Sequence, residues 1–171
     1  NNGSACAASD KVAPGVLFGH GMFQNCEVYL NGTLISDSSG TYPFIAYLQR
    51  LLTTSPIEKE TTLKDEFYYP NKVPDEYDDS KDSGFQKRYN LTKASKEFCV
   101  TLKPVANIFM QSRYLPGGSE IRVVLRRSPP EFALDSATTS KESLTGCPFK
   151  FEITNAVFMA CKRVIPPSIL E

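Results

Sequence analysis

The sequence predicts a mainly β chain, a jelly-roll β-sandwich with short helices inserted between its strands. Three observations predict it. Apolar and polar residues alternate along several short stretches, which is typical of strands with one solvated face. An Asn31-Gly32 pair interrupts an apolar run and favours a two-residue β-hairpin turn. Clusters of Pro and Gly, such as residues 115–118 and 129–130, separate the stretches.

The first elements along the chain are a glycine-punctuated stretch at 12–25, which can form a short helix, and a hairpin at 28–35. A helix is predicted over 42–52, where helical spacing places four apolar side chains on one face: Phe44, Tyr47, Leu48 and Leu51. A second helix is predicted over 56–64. Ser55 can cap it, Pro56 suits its first position, and Glu58 completes a capping box.

Residues 70–97 are polar and irregular, with an acidic run followed by a basic one, and predict a long loop. The pattern then turns to β. Alternating residues predict four strand stretches, at 98–102, 121–125, 149–153 and 157–161. Most of the aromatic residues fall on the apolar phase of strands or helices, so we expect them in the core. The loop and the two helices are the candidate contact elements.

Length and composition indicate one globular domain over residues 1–171. Of the 171 residues, 41% are hydrophobic and 22% charged, and 19 basic residues balance 19 acidic ones. Zero net charge argues against a protein that grips nucleic acid with its whole surface. No apolar run reaches the ~20 residues of a membrane span. The chain lacks an initiator Met and a signal peptide, so we expect a fragment or a processed product.

Five scattered cysteines predict neither a zinc site nor a dithiol motif, because no two lie in a short spacing. An odd number favours reduced thiols over a disulfide framework. Two triplets match the N-glycosylation acceptor, at Asn31 and Asn90. Such triplets often arise by chance, so we do not expect glycosylation at either.

His20 is the single histidine, and a Ser-His-Asp triad would have to use it. We interpret His20 as a loop or helix-end residue. Cys26 lies six residues on, but a nucleophilic thiolate needs a low pKa and an oxyanion site, and the sequence indicates neither. No other constellation suits general acid–base or nucleophilic work, so we do not expect an enzyme and assign no catalytic residue.

The acidic run has a more specific interpretation, a calcium-binding loop, because Asp78, Ser80 and Asp82 occupy alternate positions. The EF-hand pattern also requires Gly and Glu where this chain has Ser83 and Tyr89, so a solvated loop is predicted instead. Phosphate-binding glycine motifs are absent from the sequence. We therefore predict no metal, cofactor or phosphate site.

Three arginines lie in or beside the strand stretch at 121–125: Arg122, Arg126 and Arg127. Arg122 and Arg126 share its polar face. Such arginines usually line a solvated surface or a subunit contact, and nucleic-acid contact is the sharper alternative. Because no exposed aromatic residues are interleaved with these arginines, we do not expect nucleic-acid contact.

Several stretches, in the same order along residues 16–167, resemble the double jelly-roll major capsid proteins of Polinton/Maverick elements and of adintoviruses. They are 29–36, 41–48, 87–98, 113–118, 121–128, 150–153 and 161–164. The resemblance implies a capsomer in which trimers pack as pseudo-hexamers into an icosahedral shell. This chain would be most of the first jelly roll, without the upstream strands and the second jelly roll.

The resemblance also implies a structural protein of the virion, assembled in the nucleus or cytoplasm of a host cell. Its partners would be other copies of itself, as a homotrimer, and a penton or minor capsid protein. Shell assembly needs self-complementary surfaces and no active site. The alternative is a domesticated host copy that acts as a binding module and engages a protein or glycan through loop 70–97.

Overall fold

The computed structural model describes residues 5–7, 10–72, 84–136 and 149–164. Within them, the strands are β1 (Val12–Pro14), β2 (Phe23–Leu30), β3 (Thr33–Asp37), β4 (Ile121–Arg127) and β5 (Leu134–Ser136). The α-helices are α1 (Phe18–Gly21), α2 (Tyr42–Thr53), α3 (Pro56–Glu60), α4 (Gly84–Thr92), α5 (Asn107–Met110) and α6 (Pro130–Ala133). Two 3-10 helices span Thr62–Glu66 and Lys93–Ser95.

The described strands form two antiparallel sheets. One has the order β3-β2-β4, with Val28 of β2 opposite Ser36 and Val123. The other pairs β1 with β5. Short helices are inserted between the strands, as predicted. Helix accounts for about 34% of the described residues, so the fold is mixed α/β rather than clearly mainly β, which corrects that part of the prediction.

The predicted hairpin is confirmed as β2 and β3. Asn31 and Gly32 both have positive φ, at 48° and 79°, as a type I′ turn requires. The turn is also tied to the start of β4. The Asn31 amide donates to the carbonyl of Glu120, and the Glu120 amide donates to Asn31 Oδ1, each at 2.9 Å. The hairpin and β4 are therefore held together at the end of the sheet.

The predicted helix at 42–52 is confirmed as α2, and the capping box of α3 is present. The Ser55 amide donates to Glu58 Oε2 at 2.9 Å, and the Glu58 amide donates to Ser55 Oγ at 3.3 Å. The second helix is shorter than predicted, because Thr61 leaves helical geometry with φ −120° and ψ −90°. The chain continues there as a 3-10 helix.

The main core lies between the sheet and α2. Its buried members are Phe23, Cys26, Val28, Tyr42, Ala46 and Ala106. Cys26 and Val28 project from the central strand β2 toward Tyr42 and Ala46, which are one helical turn apart. A second cluster gathers Phe18, Phe67 and Ala133, and a third gathers Ala13, Phe85 and Tyr89.

Three of the four predicted strand stretches are wrong: 98–102, 149–153 and 157–161 contain no strand in the structure. The stretch at 121–125 is confirmed within β4. Alternation makes a segment able to form a strand, but the strand also needs a neighbouring backbone to bond with. In these stretches the contacts are mostly made by side chains, as where Val100 and Phe151 pack against Phe18, although the Thr101 amide donates to the carbonyl of Asp65 at 3.2 Å.

Helix α4 corrects the predicted loop over 70–97. Phe85, Arg88 and Tyr89 are all buried on it, and the i, i+3, i+4 spacing places them on one face. That face packs against β1. The low overall hydrophobicity of the stretch concealed a helix that is stabilised by its packing. The acidic part of the predicted loop falls on 73–83, which lie outside the described residues.

Candidate functional site

An apolar groove of about 480 Å³ opens between α1, α2 and α6. Phe44 and Phe132 meet across it edge to face, with their ring centroids 5.5 Å apart. Its principal apolar lining residues are Leu17, Pro43, Phe44, Tyr47, Leu48 and Phe132. His20 and Asp135 also line it. The groove therefore offers aromatic and aliphatic surface with few polar groups.

The predicted apolar face of α2 lines this groove and is not the face that packs on the sheet. The helix buries Tyr42, Pro43 and Ala46, whereas Phe44 is 58% exposed and Leu48 is 55% exposed. The expectation that these aromatic and aliphatic residues build the core is wrong. The helix has two apolar sides, and its smaller residue, Ala46, allows the close approach to β2.

His20 is fully buried at the base of the groove, at the end of α1, in agreement with its interpretation as a helix-end residue. Its Nδ1 lies 2.9 Å from the hydroxyl of Tyr42, and its Nε2 lies 3.3 Å from Glu66 Oε2. Burial raises the pKa of Tyr42, so its hydroxyl stays protonated. The Tyr42 hydroxyl also accepts from the Val105 amide at 3.4 Å, so it links His20 to the chain ahead of α5.

Glu66 is in turn held by Arg50, whose Nη2 donates to Glu66 Oε1 at 2.6 Å. The same Nη2 reaches the carbonyl of Lys103 at 3.3 Å. Both ring nitrogens of His20 are thus engaged by Tyr42 and Glu66. This network ties α1, α2 and the 3-10 helix together.

The Cys26 thiol is unsuited to nucleophilic chemistry. Its side chain lies in the main core, and burial, aided by the neighbouring charge of Glu27, raises the pKa of its thiol to about 11. A reactive cysteine requires the opposite shift. The arrangement around Cys26 and His20 is that of a packed interior.

The solvated face of the three-stranded sheet carries an ordered polar cluster. Arg126 Nε donates to Glu27 Oε1 at 2.7 Å, and the hydroxyl of Tyr29 donates to Glu27 Oε2 at 2.9 Å. The guanidinium of Arg122 lies 4.2 Å from the centroid of the Tyr29 ring. Arg126 and Tyr29 hold the pKa of Glu27 below its ordinary value. The predicted shared face of Arg122 and Arg126 is therefore present, with Arg126 paired to a carboxylate.

Arg127 takes a different role from that of its neighbours. Its Nη2 donates to the carbonyl of Phe151 at 2.7 Å, and its guanidinium stacks 4.6 Å from the centroid of the Phe151 ring. All three arginines are exposed, as expected for a solvated surface, and each contacts another group of this chain.

Arg88 forms a second buried centre, which the sequence analysis missed because it treated this residue as part of a basic loop. Its Nε donates to the carbonyl of Pro14 at 2.7 Å and its Nη2 to Asp135 Oδ2 at 2.8 Å, while Nη1 donates to the carbonyl of Tyr69. Burial raises the pKa of Asp135 despite the opposing effect of Arg88. The Phe85, Arg88, Tyr89 spacing was the signal that could have revealed it.

Segment 149–164 runs over the surface without regular structure. Phe151 packs against Phe18, with their ring centroids 5.2 Å apart. Phe158 packs against Phe109, with their ring centroids 6.2 Å apart. Between and beyond these anchors, large apolar side chains are exposed: Val157, Met159 and Val164. The segment is attached at a few points and leaves much of its apolar surface in solvent.

No metal centre is formed by the described residues, where no three His, Cys, Asp or Glu side chains come together. Asp78, Ser80, Asp82 and Ser83 of the calcium alternative lie outside the described residues. Tyr89 is buried in α4. The helices in the described part of the chain are too short or too polar to cross a membrane.

Comparisons with protein-family models, curated proteins and solved structures find no match to this chain. The function is therefore argued from the residues and surfaces of the chain itself. These surfaces are the apolar groove, the solvated face of the sheet and segment 149–164.

Proposed function

We propose that this chain is a structural protein that acts by self-association, as a jelly-roll unit of a double jelly-roll major capsid protein. The ordered resemblance over 16–167 supports the capsid assignment. In that role the unit forms trimeric, pseudo-hexameric capsomers of an icosahedral shell and resides in the virion. The proposal requires apolar surfaces whose exposure to water is unfavourable in free energy and whose burial against another copy is favourable.

The observation that carries the proposal is the amount of apolar surface left exposed on two separate faces. On α2 and α6, Phe44, Leu48 and Phe132 stand around the groove. On segment 149–164, Val157 and Met159 are 75% and 80% exposed. Monomeric proteins rarely expose contiguous apolar patches above a few hundred Å². Such faces are typical of subunits that are stable only when assembled.

The open edges of the three-stranded sheet also support self-association. In the described residues, β3 and β4 each bond to β2 on one side, so both outer edges of this sheet are open. Open edges pair readily with further strands. A jelly roll has about eight strands in two sheets. The described strands number five, so under this proposal further strands or further copies would complete the set.

The test is the mass of the chain in solution across a wide concentration range, by size-exclusion chromatography with light scattering. We expect trimers or larger assemblies at the higher concentrations. Far-ultraviolet circular dichroism on the same fractions controls for folding. A folded chain that stays strictly monomeric throughout would contradict the proposal.

A binding module is the second candidate, and the groove is the observation that favours it. Its volume of about 480 Å³ lies within the range of small-ligand sites, about 300–1,000 Å³. A monomer that binds one peptide or glycan saturably, with its affinity lost in a Leu48→Lys variant, would favour this function over shell assembly. The Leu52→Lys variant is the matched control, because Leu52 is on the same helix but does not line the groove.

A further inference from the structure

Two surface stretches that are far apart in sequence lie side by side in the structure. Phe109 packs against Phe158, with their ring centroids 6.2 Å apart. Five residues further along both stretches, the Arg163 guanidinium lies 6.0 Å from the centroid of the Tyr114 ring. The two stretches therefore run together in the same direction. We call the surface that they form, of residues 107–114 and 157–164, the basic–apolar face.

The basic–apolar face exposes a dense set of large apolar side chains. Met159 and Val164 are 80% and 87% exposed, among the highest values for apolar residues of the described chain. The full set is Met110, Tyr114, Val157, Phe158, Met159 and Val164. Apolar side chains gathered in this way mark a contact site for another molecule or for a membrane.

The charges of this face all have one sign. Its charged residues are Arg113, Lys162 and Arg163, and all three are exposed. The sequence has no Asp or Glu over 104–119 or over 153–164. Among the described residues none of the three cations forms an ion pair. The face is therefore positive, although the whole chain has zero net charge.

We propose that the basic–apolar face binds the surface of an anionic phospholipid bilayer. Its apolar side chains enter the boundary between headgroups and acyl chains, and its three cations contact the anionic headgroups. Lys and Arg suit this position because their alkyl stems lie along apolar surface while their charged ends stay in water. Tyr114 adds an aromatic ring with a polar tip, which favours the same boundary.

Charge complementarity selects this partner. In a twofold contact between copies, each face would present the same three cations to the other, whereas anionic lipid presents the opposite charge. A polynucleotide is also anionic, but it is bound by stacking on aromatic side chains, and Val157, Met159 and Val164 offer none. The inference goes beyond the proposed function. It adds a lipid partner for one exposed face and leaves the groove and the open sheet edges for contact between copies.

Vesicle flotation tests the binding. We expect the chain to float with phosphatidylcholine vesicles that contain about 30% phosphatidylserine, to float little with phosphatidylcholine alone, and to be released at about 0.5 M salt. Binding should weaken about tenfold or more in the triple variant Arg113→Gln/Lys162→Gln/Arg163→Gln. The matched control removes the same charge at exposed residues outside the face and should bind nearly as the parent does: Lys72→Gln/Lys93→Gln/Arg122→Gln.

A single tryptophan tests whether the apolar side chains enter the bilayer, because the chain has no tryptophan of its own. In Met159→Trp the emission should move to shorter wavelengths on anionic vesicles and should be quenched by lipids brominated on their acyl chains. Leu52→Trp is the matched control. Leu52 is also 80% exposed, but it lies on α2, outside the face, so its emission should stay unchanged.

Circular dichroism verifies the fold of each variant. Equal binding to neutral and anionic vesicles, or equal binding of the two triple variants, would overturn the inference. So would an unchanged Met159→Trp emission on vesicles that carry the chain, or binding of a single-stranded polynucleotide in place of vesicles. A chain that self-associates but binds no vesicles overturns this inference alone. A monomeric chain that binds anionic vesicles through this face supports the inference and contradicts the proposed function.

Discussion

Arg88 and Asp135 form an ion pair that joins α4 to β5, with Arg88 Nη2 2.8 Å from Asp135 Oδ2. The guanidinium is completely buried, and it also bonds the carbonyls of Pro14 and Tyr69. One side chain thus fastens the two-stranded sheet, α4 and the chain around Tyr69 to one another. Burial of a charge is tolerated here because several of its donors are satisfied.

Loss of Arg88 should be strongly destabilising. Arg88→Met leaves Asp135 without its partner and two carbonyls without their donor, so we expect a loss of about 3 kcal/mol in the free energy of unfolding. Urea denaturation measures it. The matched control is Lys64→Met, which breaks the exposed pair with Glu60 and should cost less than about 0.5 kcal/mol. Equal losses in the two variants would contradict a structural role for the Arg88 centre.

The titration of Glu27 should depend on Arg126. Because the pKa of Glu27 is held below 4.5, mainly by Arg126 and then by Tyr29, this carboxylate stabilises the fold above that pH. The contribution is lost as the pH falls through the lowered pKa. In Arg126→Ala the midpoint followed by carboxyl NMR should rise. Arg122→Ala is the control and should move it less, since Arg122 stacks on the ring of Tyr29.

The cysteines should differ widely in reactivity. The Cys26 thiol is buried and its pKa is raised to about 11, whereas Cys99 and Cys161 are exposed. Brief iodoacetamide treatment at pH 8, followed by peptide mass spectrometry, should label Cys99 and Cys161 and spare Cys26. Labelling of all three in urea is the control for peptide detection. Rapid modification of Cys26 in the folded chain would disprove its place in the core.

The hairpin turn should need glycine at position 32. Gly32 has φ +79°, and a Cβ added there would meet no atom within 4 Å, so Gly32→Ala tests backbone strain alone. We expect a loss of about 1 kcal/mol in the free energy of unfolding, measured by thermal or urea denaturation. Gly117→Ala is the matched control, because its space is equally open and its φ is not positive. It should change stability little.

The exposed side of α2 should matter for association more than for stability. Leu48→Lys places a charge at the mouth of the groove, so we expect weaker self-association in light scattering. The free energy of unfolding should change little, because Leu48 is more than half exposed in the single chain. Leu52→Lys, at a residue 80% exposed and outside the groove, is the control. Equal association of the two variants would show that the groove side of α2 is not part of the contact surface.

The parts of the fold that were predictable depend on near neighbours in sequence. The Asn31-Gly32 turn needs two residues with positive φ, and the Ser55/Glu58 box is closed within one helical turn. These preferences act before any tertiary contact forms. The same holds for α2, whose length and start were read correctly.

The remaining features depend on distant partners. Alternation at 149–153 and 157–161 does not say whether another backbone bonds to these stretches, and in the described part of the chain none does. The apolar pattern of α2 did not show which of two sides meets the sheet. The burial of Arg88 depends on Pro14 and Asp135, far away in sequence, so its polar character misled the interpretation of α4.

The position of β2 between β3 and β4 sets the order in which the molecule can form. Its hairpin with β3 closes locally, but Val28 lies opposite Val123, more than half the chain later. During synthesis the hairpin therefore emerges from the ribosome with one flank of β2 unbonded, because β4 is made after β3 and α2. Contacts of such long range slow folding and lengthen the exposure of aggregation-prone intermediates. The newly made chain therefore keeps this flank of β2 unbonded until residues 121–127 emerge.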